Sequence, residues 1–347
     1  MKALCLYGVR DIRFENVDEP QIKNDCDVKI KVKAVGICGS DIHRYSQLGP
    51  YVKGMVWGHE FSGQITEVGR AVTKYTKGQK VTACPALCCE KCDPCKKGRY
   101  AQCEELSVIG AYRQGAFAEY IVLPENNVVA LPDTVDYAEA ALIEPSCVAL
   151  HGIYNAGGIQ PGSTAAVLGC GTVGTMAVQW AAISGAEKII AIDVNQNRLQ
   201  TALKVGADII INTAGKDPYD AVCEMTGGKG VDFAVEAAGT AETSAQVLAL
   251  PGKGGAVIYM GIPYSDVLIN RFHFERIVRN ELSVYGTWNA ISGPFPGREW
   301  ETCVHFLGKG ILKTAPLISR NVPLSEGPEV FAAAADKYTD GKIVFRP

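Results

Sequence analysis

The stretch that most constrains this chain runs from Thr164 to Gly174, TAAVLGCGTVG. A short run, apolar throughout, meets three glycines spaced G-x-G-x-x-G. A helix-like apolar segment then continues to Gly185. A strand with no polar face must be covered on both sides, which is the signature of a parallel sheet between helices. Gly169 permits a tight turn, Gly171 lets the backbone approach a pyrophosphate, and Gly174 lets the helix pack closely on the strand. The N-terminus of that helix offers free N–H groups and the positive end of its dipole to an anion. The acidic residue expected about 20 positions further on is Asp193. Its carboxylate accepts hydrogen bonds from a ribose diol and repels a 2′-phosphate, so NAD is favoured over NADP, with Arg198 close enough in sequence to soften that preference.

The same alternation repeats through KIIAID (188–193), the polar helix pattern NQNRLQTALKVGA, DIII (208–211), VDFAVEAAG (231–239) and GGAVIYMG (254–261). Strands and helices alternating in this way indicate a doubly wound α/β domain, expected over 151–287. The chain before it reads differently. In VKIKVKAV (28–35) the apolar Val28, Ile30, Val32 and Ala34 alternate with Lys29, Lys31 and Lys33, a strand with one buried face. Further strands are expected at 61–69 and at 117–123, the latter ended by Pro124. The first 150 residues are therefore mainly β, with Gly- and Cys-rich loops, and the tail from 288 is mixed, with a helix expected over 327–339. A helical pattern, YAEAALIEP, is expected to end at Pro145 and to present Glu144 at its end.

A length of 347 residues accommodates two domains. A net charge of −3 gives no electrostatic case for a nucleic-acid or membrane partner. No apolar run approaches the roughly 20 residues of a membrane helix, and the N-terminus lacks a signal-peptide pattern. There are 13 cysteines, five of them between Cys84 and Cys95. In a chain of this size without a secretion signal, metal binding and free thiols are expected in place of disulfides, with a cytoplasmic location as the inference.

Cys89, Cys92, Cys95 and Cys103 have the spacing of a closed Cys₄ zinc site, which leaves no open position and is therefore structural. Cys88 adjoins it and competes for the first place, and an iron–sulfur site is the rival reading. The stretch CGSDIH (38–43), followed by GHEFSG (58–63), brings a thiolate, Cys38, an imidazole, His59, and a carboxylate, Glu60, into one segment. These donors suit a catalytic zinc with an open position, and Glu144 is a further candidate for the third ligand. Ser40 and His43 are candidates for carrying a proton from substrate to solvent. Arg113 and Arg298 could meet an anionic substrate group or be ordinary surface charges. Cys147, His151, His273 and His305 read as structural.

Taken together, these motifs, with GAFAEY at 115–120, resemble the zinc-dependent medium-chain dehydrogenase/reductase family from end to end. Within it the chain is similar to the polyol dehydrogenase branch, and Gly286 to Glu301 is most similar to members acting on a polyol phosphate. The resemblance implies an α/β protein: a GroES-like, β-rich catalytic domain from 1–150 and 288–347, carrying a zinc lobe at 84–104, with an inserted Rossmann domain of doubly wound parallel sheet. It implies two zinc ions per chain and NAD(H). Cys38 and His59 would hold the catalytic zinc, with Glu60 or Glu144 as third ligand. Gly169, Gly171, Thr172, Val173 and Gly174 would hold the pyrophosphate, Asp193 the ribose, and Gly261 would lie where the nicotinamide passes. The expected reaction is oxidation of a secondary alcohol of a polyol or polyol phosphate to the ketose. Sorbitol, L-threonine and 2,3-butanediol are alternatives, and a non-catalytic NAD- and zinc-binding interaction protein is a second one. A homodimer or homotetramer is expected.

Overall fold

The computed structural model describes residues 1–336 and 339–347. The chain divides into two compact units, Met1–Glu144 with Ala290–Pro347, and Pro145–Asn289.

The first unit begins with β1 (Lys2–Gly8), β2 (Asp11–Asn16) and β3 (Asp27–Gly36), then β4 (Met55–Val56), β5 (Glu60–Val68) and β6 (Lys80–Ala83). A small lobe carries β7 (Ala86–Leu87) and β8 (Ser107–Val108), which pair antiparallel, and β9 (Tyr120–Pro124) and β10 (Val128–Ala130) follow. The second unit contributes β11 (Thr164–Leu168), β12 (Lys188–Asp193), β13 (Ile209–Asn212), β14 (Val231–Glu236), β15 (Pro251–Tyr259) and β16 (Ser283–Gly286). The chain then returns to the first unit for β17 (Ile318–Pro323) and β18 (Lys342–Arg346).

In the first unit one sheet has the order β10-β6-β5-β3-β18-β17, with β9 also on β3, and a second has the order β2-β1-β4. The alternation in β3 sends Val28, Ile30, Val32 and Ala34 into the core, beside Phe61, Phe117, Phe331 and Phe345. The opposite face is not plain solvent. Lys29 is buried and ion-paired with Glu19 at 2.6 Å, its stem covering the sheet. The expected strand at 117–123 begins later, at Tyr120, because Phe117 bonds instead to Leu4 and Trp57.

In the second unit the order is β13-β12-β11-β14-β15-β16 and every pair is parallel. Strands β11 and β12 are buried almost throughout, as their uniform apolarity requires. The expected fold class, a β-rich GroES-like region with a doubly wound parallel sheet, is the observed one.

One expectation is corrected. Pro145 does not end a helix at Glu144. It lies in the first turn of the helix Ile143–Asn155, where its missing N–H would have had no intrahelical partner anyway. Glu144 is thus a first-turn carboxylate at the positive end of a helix. The helix expected over 327–339 is seen at Gly327–Asp336; Lys337 and Tyr338, within that expectation, lie outside the described residues.

Candidate active site

Three strand ends build the first cluster. Antiparallel pairing sets Gly36, at the end of β3, opposite Glu60, at the start of β5. Cys38 lies two residues beyond one and His59 one residue before the other, so local sequence distance becomes spatial contact. Their ligand atoms and that of Glu60 all lie within 4.8 Å of one another. Strand β18 also runs antiparallel to β3, with Val344 opposite Gly36, which delivers Lys342 to the same end. A side chain at position 36 would strike Glu60, its Cβ only 2.5 Å from Oε2, which is why glycine stands there.

Sequence reasoning missed two charged residues of this cluster. Asp41 is buried on the short helix Gly39–His43. Its Oδ2 accepts the Cys38 N–H at 3.0 Å, and its Oδ1 lies 3.8 Å from Nδ1 of His59. It thereby fixes the thiol's backbone and faces the imidazole as a charge, at a distance beyond a hydrogen bond. The signal was present: an acid three residues after the residue that opens a helix is half of a capping box. Lys342 had no local signal. Its buried ammonium donates to both Glu60 oxygens, at 2.8 and 2.5 Å, and to the Ile37 carbonyl at 2.8 Å. Burial works to lower the Lys342 pKa, but the Glu60 charge outweighs it and the pKa is raised.

Burial pushes the Asp41 carboxyl up to about 6 and the Glu144 carboxyl up to about 7. Burial also works against a charged His59, yet Asp41 and Cys38 beside it hold its pKa well above the ordinary value. A pocket that favours positive charge on an imidazole is one whose field suits a cation, and the thiolate–imidazole–carboxylate set suits zinc. Glu144 is buried and acts electrostatically on His59, but stands outside the tight cluster. Ser40 and His43, three apart on the helix that Cys38 opens, share a face. Ser40 is exposed and His43 half-buried, burial lowering its pKa.

The second cluster gathers Cys89, Cys92, Cys95 and Cys103, their sulfurs within 4.8 Å of one another. Backbone amides point at them: Cys89 N–H toward the Cys103 sulfur at 3.3 Å, and Cys92 N–H toward that of Cys89 at 3.4 Å. The backbone N–H of Glu104 lowers the Cys92 thiol to about 7. At Cys92 the donors favour the thiolate, the form that binds zinc, whereas burial pushes the Cys95 thiol up. Cys88 stands beside the cluster: its thiol donates to the Tyr100 carbonyl at 3.7 Å, and burial, with Cys103 and Cys89 near it, pushes its pKa up to about 12.

In the second unit the glycine turn is built for an anion. Gly169 adopts φ +95°, and a Cβ there would meet the Ala238 nitrogen at 2.5 Å; a Cβ on Gly174 would meet the Gly169 oxygen at 1.7 Å. Gly171, by contrast, faces open space. That space lies over the first turn of the helix Thr172–Ile183, where the N–H groups of Thr172 and Val173 have no helical acceptor. The residues fit a dinucleotide. Asp193, at the end of β12, is buried and accepts from Cys170 N–H at 2.7 Å and Asn195 N–H at 2.8 Å, which fixes its carboxylate at the turn. Arg198 lies within electrostatic reach of Cys170 beside it. Gly261 packs so tightly that a Cβ would meet Glu236 and Gly239, each at 2.4 Å. Glu236 was also missed. Fully buried at the end of β14, it accepts from Ala238 N–H, Gly239 N–H and the Thr243 hydroxyl and so ties this turn together. Of the other candidates, Cys147 is buried in the core, His151 pairs with Asn155 at 3.0 Å, and Arg113 is exposed.

Residues 24–133 match the alcohol dehydrogenase GroES-like domain, and residues 172–307 the zinc-binding dehydrogenase family. The chain is 36% identical to the sorbitol dehydrogenase of Bacillus subtilis over 96% of this chain and 93% of that one. It is 33% identical to the galactitol 1-phosphate 5-dehydrogenase of Escherichia coli over 94% of both. The crystal structure of galactitol-1-phosphate dehydrogenase from Escherichia coli superposes with a TM-score of 0.95 at 32% identity, covering all of both chains. These likenesses and the two folded units lead to one conclusion: the chain belongs to the zinc-dependent medium-chain dehydrogenase/reductase family and is an NAD(H)-linked oxidoreductase of alcohols and polyols.

Proposed function

We propose that this dehydrogenase oxidises a secondary alcohol of a polyol or polyol phosphate, a substrate of the galactitol 1-phosphate type, to the ketose. The observation that carries the reading is the convergence of Cys38, His59 and Glu60 at one strand end, beside the helix that bears Ser40 and His43. Zinc, when bound, acidifies the substrate hydroxyl, and NAD⁺ takes up the hydride. Cys38 and His59 are the firm ligands. Glu60 already shares both oxygens with Lys342, which supports Glu144 as the exchangeable third. Ser40 accepts the hydroxyl proton and His43 passes it to solvent. Asp41 fixes the Cys38 backbone and faces the His59 ring as a charge. Thr172, Val173 and the glycines hold the pyrophosphate, Asp193 the ribose, and Gly261 flanks the nicotinamide. Cys89, Cys92, Cys95 and Cys103 hold a second, structural zinc.

A homodimer or homotetramer is supported by side chains such as Leu268, Phe274 and Val278, exposed by 87%, 57% and 64% in the second unit. Free thiols throughout suit the reducing cytoplasm. The test is an NAD⁺-linked turnover screen over polyols, their phosphates, L-threonine and 2,3-butanediol, run with metal analysis. The highest kcat/KM is expected on a polyol or polyol phosphate with two zinc ions per chain. A best substrate outside that class overturns the substrate reading. No turnover at full zinc loading overturns catalysis itself and favours a binding protein.

A further inference from the structure

Arg44 follows His43 and opens the π-helical turn Arg44–Leu48. Its guanidinium carbon lies 3.5 Å from the centroid of the Tyr51 ring. That ring packs against Tyr112, with centroids 4.5 Å apart and planes at 37°. Both rings are about half exposed, as are Leu48 and Val52 in the same segment. The result is a cation lying flat on an aromatic platform that opens to solvent.

Several other cations of this unit are matched with carboxylates. Arg10 pairs with Asp336 at 2.7 Å, Arg13 with Asp11 at 2.7 Å, and Lys29 with Glu19 at 2.6 Å. Arg44 is half-buried, yet among the described residues no carboxylate lies within ion-pair distance of it. Its Nη1 reaches the Gly49 carbonyl at 3.4 Å, longer than a full-strength bond. Stacking uses the face of a guanidinium and leaves its in-plane N–H groups to donate. A half-buried, oriented guanidinium without a counter-charge is a receptor for a planar or tetrahedral oxyanion.

Its place in the chain says which oxyanion. Arg44 stands six residues beyond Cys38 on one nearly continuous helical run, which at the α-helical rate is about 9 Å of backbone rise between the two Cα positions. A chain of four or five carbons between a reacting hydroxyl and a terminal ester is of that order of length.

We infer that Arg44, held by Tyr51, is the specificity-determining residue that binds the terminal phosphate of a polyol phosphate, making phosphate monoesters the preferred substrate class. The inference rests on the polyol reading of the same site. It differs from a purely structural cation–π contact in one respect: a structural contact would affect neutral and phosphorylated substrates alike.

The experiment measures kcat and KM for a polyol phosphate and for the matching free polyol with the wild-type holoenzyme, Arg44→Gln and Arg44→Lys. Calorimetric binding of the phosphate ester to each protein runs alongside. The wild type is expected to prefer the ester. In Arg44→Gln the ester-to-polyol ratio of kcat/KM should fall at least tenfold, carried by KM of the ester, and calorimetric affinity for the ester should fall in step. Arg44→Lys, which keeps the charge and loses the planar fork, should recover part of both. Turnover of the free polyol reports whether each variant is folded. An unchanged ratio, or a fall carried equally by both substrates, overturns the inference and leaves the polyol reading standing. Loss of all polyol turnover in the wild type sinks that reading instead, and the calorimetric arm then judges Arg44 alone: equal ester affinity in wild type and Arg44→Gln overturns it.

Discussion

The two candidate metal clusters lie in the same folded unit but are built on opposite plans. The four cysteines come from one stretch of 15 residues, are chemically identical, and need only the turns of that stretch to meet. Cys38, His59 and Glu60 are unlike donors brought together by strand pairing, and their buried neighbours Asp41 and Lys342 carry charge. The first plan fills every position with a ligand and suits an ion that holds the lobe together. The second, as proposed, would leave a position open, with buried charges beside its donors. Closure gives stability from local sequence; openness demands support from distant sequence.

Breaking the closed cluster should have the largest effect. Cys95→Ser should release the zinc of the lobe and forfeit stabilisation on the order of 10 kcal/mol locally. Limited proteolysis within 84–104 and a zinc count falling to one per chain would report it; two zinc ions retained in a protease-resistant lobe would mean that the cluster is not what holds it. Cys38→Ala should leave the lobe intact and lower kcat/KM at least ~1000-fold, about 4 kcal/mol of transition-state stabilisation. Near-normal turnover on the best substrate would refute the zinc mechanism.

The third variant tests the support. Lys342→Met leaves the Glu60 carboxylate buried without its partner, which costs about 3–5 kcal/mol in denaturant unfolding. Adding Glu60→Gln should restore part of that loss, and simple additivity in the double variant would show that the two residues are not coupled. Asp41→Asn should have the smallest effect, weakening zinc binding about 10- to 100-fold at the open site while the lobe keeps its ion. Chelator titration separates the two ions, and equal resistance at both sites in the variant would remove Asp41 from its bracing role.

The same contrast explains what could be read in advance. The Cys₄ set follows from spacing, and so does the glycine turn, because each depends on neighbours a few residues apart. Gly169, Gly171 and Gly174 each have a distinct reason visible in the structure: a left-handed turn, open space for an anion, and a helix packed against a carbonyl. Pro145 misled because a proline marks a helix start as readily as an end, and only the flanking backbone decides between them. Lys29 reads as solvent-facing from its alternation, but Glu19 covers it. Glu236 looks like an ordinary strand-end acid, until the turn at Ala238 and Gly239 folds its N–H groups onto it.

The sequence alone determined the chemistry available to this protein. Its donor types, glycine spacing and unbroken apolar strands leave little room for anything but a parallel dinucleotide domain joined to a β-rich, zinc-binding one. Those signals are short-range, and short-range geometry is fixed by the covalent chain. The tertiary structure decided which charges face one another. Lys342 meets Glu60 across 282 positions only because β18 runs antiparallel to β3. The buried ammonium takes Glu60 as its ion-pair partner, and a charge removed from water must be paired where the fold puts it.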